Sequence, residues 1–161
     1  MPAAIAPCTI LMDTCIFLNV LEVPGRSQDR DAVWRELDRL VEDPDTHHLL
    51  LPMAAIIETG NFIAQVSDGR QRRETALRFT KQVKAAIEGS APWQAMEPPD
   101  TATIRSWLAE FPDHAMRGVG MGDLSILKEW ERCCARLPRH HRVRIWSLDH
   151  ALQGYDRSPR P

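Results

Sequence analysis

Four acidic residues occupy matching places along this chain: Asp13, Glu58, Asp123 and Asp149. Asp13 and Asp149 each follow a short apolar run, Glu58 lies in the helical pattern after another such run, and Asp123 opens an amphipathic segment. If the apolar runs are neighbouring parallel strands, the four carboxylates meet at the carboxyl edge of one sheet, where open α/β folds bind ligands. Clustered like charges are unfavourable without a cation, and hard divalent cations prefer oxygen ligands. The pattern therefore predicts a metal-dependent enzyme.

The elements that must position these residues alternate between apolar runs and longer segments of helical period, a pattern typical of parallel strands joined by crossover helices. Strands are predicted at residues 8–12, 48–51, 93–96 and 143–147. A helix is predicted at 101–108, followed by a loop from Phe111 to Gly122. Residues 155–161 contain two prolines and no apolar run. We therefore expect a single domain at 1–154 and a flexible C-terminal tail at 155–161.

Length and composition are those of one globular domain. The 161 residues are 43% hydrophobic and 26% charged, which is ordinary for a globular protein. The net charge of −2 indicates no general basicity, although the chain outside the four clustered acids is mildly positive. Four cysteines form no CxxC pair, no run could cross a bilayer, and the first residues do not resemble a secretory signal. A cytoplasmic protein with reduced thiols and no membrane partner is expected.

Each acidic residue also has a simpler explanation. Aspartate is among the best helix N-caps, and Asp13, Asp123 and Asp149 all stand where a helix is predicted to begin. Glu58 lies inside a predicted helix, where a solvated side chain is the simplest expectation. Capping does not exclude catalysis, because a helix start at the carboxyl edge of a sheet is also where a catalytic carboxylate would lie. The order of all four along the chain, rather than any one of them, favours a site.

That order resembles the PIN-domain family of metal-dependent ribonucleases, whose small single-domain members are the VapC toxins of bacterial toxin–antitoxin pairs. The matching segments are Ile10–Phe17, Leu51–Glu58, Gly122–Leu127 and Ile145–Asp149. The resemblance spans nearly the whole chain and implies an α/β fold, a three-layer α/β/α arrangement around a central parallel sheet of four to five strands. PIN domains usually have a further strand after the last acidic helix. Only a short segment remains here, so that strand is expected to be missing or supplied differently.

The resemblance carries the family's catalytic and metal-binding acids onto Asp13, Glu58, Asp123 and Asp149, with Mg²⁺ or Mn²⁺ as the implied cofactor. Mg²⁺ retains several waters and usually takes one or two carboxylates directly. Asp13 and Asp123 are therefore the expected direct ligands. Asp149 would bind directly or through water, and Glu58 would bind through water or support a second ion.

Other polar residues are assigned supporting roles. Thr14 and Ser147 are candidates to orient a metal-bound water or a phosphate, and Asn61 is a candidate to assist Glu58. Hydroxyl groups can instead satisfy the local backbone. Two groups of basic residues are predicted to bind RNA phosphates without reading sequence: Arg70, Arg72, Arg73 and Lys81 in one helix, and Arg142 and Arg144 near the last strand. A solvated helix face is the simpler alternative for the first group.

The resulting hypothesis is an endoribonuclease that hydrolyses RNA phosphodiester bonds and acts as a toxin or defence effector. The resemblance also implies an antitoxin or other inhibitory protein as partner, and a homodimer. A non-catalytic PIN-like module that binds RNA or protein remains an alternative, as does a metal-dependent phosphatase or DNA nuclease. A haloacid-dehalogenase-type phosphatase would need Asp-x-Asp after the first strand, where Cys15 occupies the second acidic position.

Overall fold

The computed structural model describes residues 5–160, which form alternating strands and helices. The strands are β1 (Cys8–Met12), β2 (His47–Leu51), β3 (Trp93–Ala95), β4 (Arg142–Trp146) and β5 (Asp156–Arg157). The helices are α1 (Thr14–Val20), α2 (Arg30–Val41), α3 (Met53–Ala64), α4 (Gly69–Glu88), α5 (Thr101–Met116), α6 (Met121–Arg136) and α7 (His150–Gln153). None of these helices is long and apolar enough to cross a bilayer.

The strands form one mixed sheet in the order β3-β2-β1-β4-β5. β1 lies at its centre, is buried along its whole length, and pairs in parallel with both β2 and β4. β3 pairs in parallel with β2, whereas β5 pairs antiparallel to β4. A strand buried on both faces takes mostly apolar side chains, which explains the composition of residues 8–12. Thr9 is the one polar residue among them, and its hydroxyl shares a hydrogen bond of 2.9 Å with His141 Nε2.

Helices cover both faces of the sheet. Ile10 and Met12 of β1 point into one core cluster, and Leu11 between them points into another, as the two-residue period of a strand requires. The first cluster takes side chains from α1 to α4, among them Ile16, Leu37, Ile63 and Ala86. The second takes side chains from α6 and α7: Ile126, Cys133 and Leu152. The predicted PIN-like three-layer α/β/α fold is thereby confirmed.

The C-terminal segment corrects one prediction. Residues 155–157 are not a loose tail, because Asp156 and Arg157 form the fifth strand against β4. The Arg157 guanidinium donates hydrogen bonds to the carbonyl oxygens of Cys134, Leu137, Pro138 and His141. These bonds come from one charged side chain, so a search for apolar runs does not find the strand.

A second correction concerns the segment before Asp123. α5 does not end near Leu108 but continues through Pro112 to Met116. A proline inside a helix leaves one carbonyl, here that of Leu108, without its helical donor. Leu108 is exposed, so water can take the donor's place.

Candidate active site

Asp13 and Asp149 follow two adjacent parallel strands and therefore lie at the same edge of the sheet. The Asp13 N–H donates to the carbonyl oxygen of Trp146 (3.0 Å), which extends the β1–β4 pairing by one residue. Asp13 is also the N-cap of α1, and its Oδ1 accepts from the Thr14 N–H at 2.7 Å. Asp149 is the N-cap of α7, and its Oδ1 accepts from the Ala151 N–H at 2.9 Å. The capping predicted for these two residues is confirmed.

Glu58 and Asp123 reach the same edge from helices α3 and α6. Asp123 lies in the first turn of α6, whose N-cap is Gly120, so the prediction that Asp123 itself begins the helix is wrong. Gly122 lies so close to Glu58 that a Cβ added there would overlap the Oε1 of that carboxylate. The absence of a side chain at Gly122 thus makes room for Glu58 beside the helix.

The four carboxylates line one cavity of about 350 Å³. Asp13 is buried, with 6% of its surface exposed, whereas Glu58 and Asp123 are half-buried and Asp149 is exposed. Solvent exposure within the cavity therefore decreases from Asp149 at its rim to Asp13 at its base. It is the carboxyl-edge arrangement that the sequence predicts.

Two hydroxyl groups orient these carboxylates. Thr14 Oγ1 donates to Glu58 Oε2 at 2.7 Å. Ser147 Oγ donates to Asp13 Oδ2 at 2.6 Å and accepts from the Asp149 N–H at 2.9 Å. The structure therefore brings both predicted hydroxyls to the site, where they bond to the carboxylates themselves.

Cys15 is a member of this network that the sequence reasoning assigned to packing. Its Sγ donates to Asp13 Oδ2 at 3.4 Å and accepts from the Leu148 N–H at 3.3 Å. Burial, followed by the charge of Asp13, raises the pKa of the thiol to about 11. Cys15 is consequently a neutral donor at physiological pH rather than a thiolate ligand.

Negative charge in the cavity has no positive partner among the described residues. Asp13, Glu58, Asp123 and Asp149 form no ion pair with any Lys, Arg or His of residues 5–160. Burial raises the pKa of Asp123, and the charges of Asp13, Glu58 and Asp149 raise it further. The carboxylates of Asp13, Glu58 and Asp149 thus repel that of Asp123.

As the side chains stand, residues 5–160 contain no group of three Asp, Glu, His or Cys side chains close enough to hold one metal ion. The donors that line the cavity are nevertheless carboxylate oxygens without a counter-charge. Such a set fits a hard divalent cation that keeps part of its water shell.

Asn61 is not part of the cavity. It is exposed on α3, and the next residue, Phe62, lines the wall in its place. Phe62 follows Glu58 by four residues, which puts the two on the same helix face. The residue four positions after Glu58 therefore reaches the cavity, whereas the predicted residue, three positions after it, does not.

One basic residue does line the cavity, and the sequence reasoning missed it. Arg26 lies in the loop between α1 and α2, and it is the cavity's one Lys or Arg among the described residues. A single arginine after the Pro24–Gly25 turn belongs to no periodic pattern, so no sequence signal distinguishes it.

The basic residues that the sequence selected lie elsewhere. Arg142 begins β4, at the opposite end of the strand from Asp149, and binds Asp156 with two hydrogen bonds of 2.9 and 2.6 Å. Arg144 pairs with Glu36 at 3.3 Å. Both arginines are therefore paired with acids away from the cavity, and their predicted contact with RNA phosphates remains a prediction. The basic residues of α4 are exposed and outside the cavity: Arg70, Arg72, Arg73 and Lys81.

The strand order and the two helical layers define a PIN-like α/β/α domain. No protein-family model matches the sequence, and a search of curated proteins finds no match. Among solved structures, the chain is similar to one described as the crystal structure of FitAcB from Neisseria gonorrhoeae, with a TM-score of 0.57. The two chains are 17% identical, and the alignment covers 91% of each. The similarity at this level of identity is one of fold, and it extends over nearly the whole domain.

Proposed function

We propose that this chain is a PIN-type endoribonuclease that hydrolyses RNA phosphodiester bonds with Mg²⁺ or Mn²⁺ bound in the acidic cavity. The observation that supports this is the gathering of four carboxylates from separate segments, without an ion-pair partner in residues 5–160. Such repulsion destabilises the folded protein, so a scaffold without catalytic function would gain nothing from it. A bound divalent cation offsets it.

In this proposal Asp13 and Asp123 contact the cation directly. Asp149 contacts it directly or through water, and Glu58, whose Oε2 already accepts from Thr14, does so through water. When bound, the ion lowers the pKa of a coordinated water and neutralises charge on the phosphate.

The chain's own residues prepare the site for this role. Asp13 receives hydrogen bonds from the Thr14 N–H, the Ser147 hydroxyl and the Cys15 thiol. These three donors fix the orientation of the Asp13 carboxylate, which leaves it positioned to bind a cation. The raised pKa of Asp123 means that binding a cation there releases a proton more often than at an exposed aspartate.

The proposal is tested by removing one charge at a time. Asn can keep the N-cap hydrogen bond at residue 13 but cannot replace the charge. We expect Asp13→Asn and Asp123→Asn each to lower Mn²⁺-dependent cleavage of single-stranded RNA at least about 100-fold, since losing only a hydrogen-bonding partner of a metal ligand already costs about 10- to 100-fold. Asp38→Asn, an exposed position on α2, is the matched control. Cleavage that survives in both site variants, with the fold intact by circular dichroism, would rule the proposal out.

Metal binding can be followed independently of cleavage. An ion that binds the native state stabilises it by about 2.7 kcal/mol at a hundredfold excess over Kd. The melting temperature of the wild type should rise with Mn²⁺, and the rise should shrink in Asp123→Asn but not in Asp38→Asn. Equal rises in all three proteins would put the metal at another place.

A polymer substrate also needs contacts beyond the scissile phosphate, which separates a ribonuclease from a phosphatase. The exposed basic residues of α4 are proposed to make distal contacts: Arg70, Arg72, Arg73 and Lys81. Replacing them together should flatten the dependence of RNA affinity on salt by about 0.7 in log–log slope per lost contact. A wild type that hydrolyses a small phosphomonoester and ignores RNA would favour the phosphatase alternative.

The resemblance to VapC toxins further leads us to propose a cytoplasmic toxin that forms a homodimer and is neutralised by an antitoxin. Its expression in a bacterial host should then arrest growth, and Asp13→Asn should relieve the arrest at equal protein level. Light scattering tests the dimer, and co-expression with the product of a neighbouring short reading frame tests the antitoxin.

A further inference from the structure

The loop between α1 and α2 is built to present Arg26 at the acidic cavity. Gly25 adopts the left-handed conformation (φ +76°), and the Arg26 N–H then closes a turn onto the Val23 carbonyl oxygen at 3.0 Å. Asn19, a buried residue of α1, accepts from the Asp29 N–H at 3.0 Å and donates to the Cys15 carbonyl oxygen at 2.8 Å. The loop is therefore tied to the same helix that Asp13 caps.

Arg26 is oriented by an aromatic ring rather than by an acid. Its guanidinium carbon lies 4.4 Å from the centre of the Phe62 ring, a cation–π contact. Within residues 5–160 its side chain forms one hydrogen bond, a long one of 3.5 Å from Nη2 to Gln65 Oε1. Within residues 5–160 no carboxylate lies within ion-pair distance of it. Most of its five N–H donors are consequently free for an incoming ligand.

We propose that Arg26, seated on Phe62, binds the phosphate next to the scissile one in a single-stranded RNA. The guanidinium fork matches the oxygens of a phosphate, and it lines the same cavity as the four carboxylates. This inference rests on the proposed ribonuclease function and identifies a substrate-binding residue for it. Phe62 is a positioning residue, because it fixes the guanidinium without touching the phosphate.

The depth of the site selects a single strand. Asp13 is buried, so the reacting phosphate must enter a recess to approach it. A flexible single strand can do so while its next phosphate remains at the rim near Arg26, whereas a duplex holds its phosphates on a regular surface. The outer face of the guanidinium is also suited to stacking with an unpaired base.

The path away from Arg26 leads to the basic helix α4. Arg26 contacts Gln65, and the carbonyl oxygen of the next residue, Val66, accepts from Arg72 Nη1 at 2.9 Å. Arg72 lies in the first turn of α4. A strand bound at Arg26 can therefore continue towards the exposed basic residues of that helix.

The decisive experiment varies both the protein and the number of phosphates. A dinucleotide has only the scissile phosphate, whereas a pentanucleotide also has neighbouring ones. In Arg26→Ala we expect kcat/KM for the pentanucleotide to fall about tenfold, the usual result of losing one charge-assisted contact. The value for the dinucleotide should fall by much less, because it has no neighbouring phosphate for Arg26 to bind. Arg139→Ala, which removes the same charge at an exposed site before β4, should change neither.

Binding gives a second readout that does not require cleavage. Anisotropy of a labelled single-stranded pentanucleotide in Ca²⁺, with its integrity checked on a gel, should show weaker binding to Arg26→Ala. The log–log salt slope should flatten by about 0.7. Phe62→Leu, which keeps an apolar side chain but no ring, should weaken binding by less than Arg26→Ala does. A duplex of the same sequence should bind less tightly than the single strand.

Each contrary result has its own meaning. An equal loss on the dinucleotide and the pentanucleotide, or no difference between Arg26→Ala and Arg139→Ala, would overturn the assignment of Arg26, as would equal affinity for duplex and single strand. A wild type that binds the pentanucleotide but never cleaves RNA with Mg²⁺ or Mn²⁺ would overturn the proposed function. In that case the affinities of Arg26→Ala and Arg139→Ala would still decide whether Arg26 binds RNA.

Discussion

Single side chains in the cavity are organised by hydroxyl groups, and Ser147 is the most connected of these. Its Oγ donates to Asp13 Oδ2 and accepts from the Asp149 N–H, so one hydroxyl group connects the residues that follow β1 and β4. Ser147→Ala leaves Asp13 with the weaker thiol donor of Cys15 at that oxygen and the Asp149 N–H without an acceptor. We expect activity to fall about 10- to 100-fold, as is usual when a partner of a metal-binding group is lost.

The test for Ser147 compares activity with stability. Removing the hydrogen bonds should lower the free energy of unfolding by about 1–2 kcal/mol, too little to unfold the domain. Ser90→Ala, at the exposed end of α4, is the matched control and should leave activity unchanged. Full activity in Ser147→Ala would show that Asp13 does not need this donor.

Gly122 gives a second prediction at this scale. A methyl group at Gly122 would overlap Glu58 Oε1, and the end of a flexible side chain moves more easily than the backbone of α6. Gly122→Ala should therefore keep the fold, since Ala favours helix more than Gly does. It should displace the Glu58 carboxylate from Thr14 and lower activity at least about tenfold, a loss similar to that of other supporting groups.

Two comparisons isolate that effect. Gly120→Ala, where an added Cβ meets no atom within 4 Å, should remain close to the wild type. In a Glu58→Ala background, Gly122→Ala should cause no further loss, because the group that it displaces is absent. Additive losses in the double variant would mean that Gly122 acts through something other than Glu58.

Among the elements, the short strand β5 depends on one side chain. Arg157 donates to four carbonyl oxygens at the end of α6 and before β4. Asp156, the other residue of β5, pairs with Arg142 of β4. Arg157→Ala leaves several of these carbonyls without their donor. We expect the free energy of unfolding, measured in urea, to fall by about 2 kcal/mol, in the range for hydrogen bonds to a charged group.

Arg160→Ala is the control for this element, because Arg160 is exposed and its backbone N–H, which the substitution keeps, donates to the Arg139 carbonyl oxygen. It should unfold like the wild type. If Arg157→Ala did so too, the Arg157 guanidinium would not be needed, and the backbone pairing with β4 and the Arg142–Asp156 ion pair would hold β5.

At the level of the whole molecule, the acidic cavity links stability to pH. The pKa of Asp123 is raised by burial and by Asp13, Glu58 and Asp149. Without a divalent cation, the Asp123 carboxyl therefore holds its proton more tightly in the folded protein than in the unfolded chain, from the ordinary Asp pKa of about 3.9 up through the raised value. Over that window the contribution of Asp123 to the free energy of unfolding becomes less favourable as pH rises, and it is fully unfavourable above the window.

Asp123→Asn removes this penalty. In chelator, the variant should be more stable than the wild type at neutral pH, and the difference should disappear as pH falls below about 4. Chemical unfolding at a series of pH values measures it. A wild type that is the more stable of the two at neutral pH without metal would contradict the raised pKa.

The sequence by itself determined the four parallel strands of the sheet and most of the acidic cavity. Asp13 and Asp149 each follow an apolar run, and parallel pairing of β1 and β4 puts the ends of both runs at one edge. An apolar run and the acidic residue after it are local features of the sequence, so they can be recognised without knowledge of the fold. Glu58 was also found, because its place in the helix after β2 is fixed by the start of α3.

Only the tertiary structure decided which other residues join that cavity. Arg26 reaches it from a loop that has no periodic pattern. Gly122 of α6 leaves space for the Glu58 side chain of α3. Cys15 forms a hydrogen bond with Asp13 in addition to packing. The structure also decided the partners of the basic residues near the last strand. Arg142 starts the five-residue strand β4, at the end away from Asp149, and pairs with Asp156, whereas Arg144 pairs with Glu36. Contacts of this kind depend on distance in space, which a linear pattern does not contain.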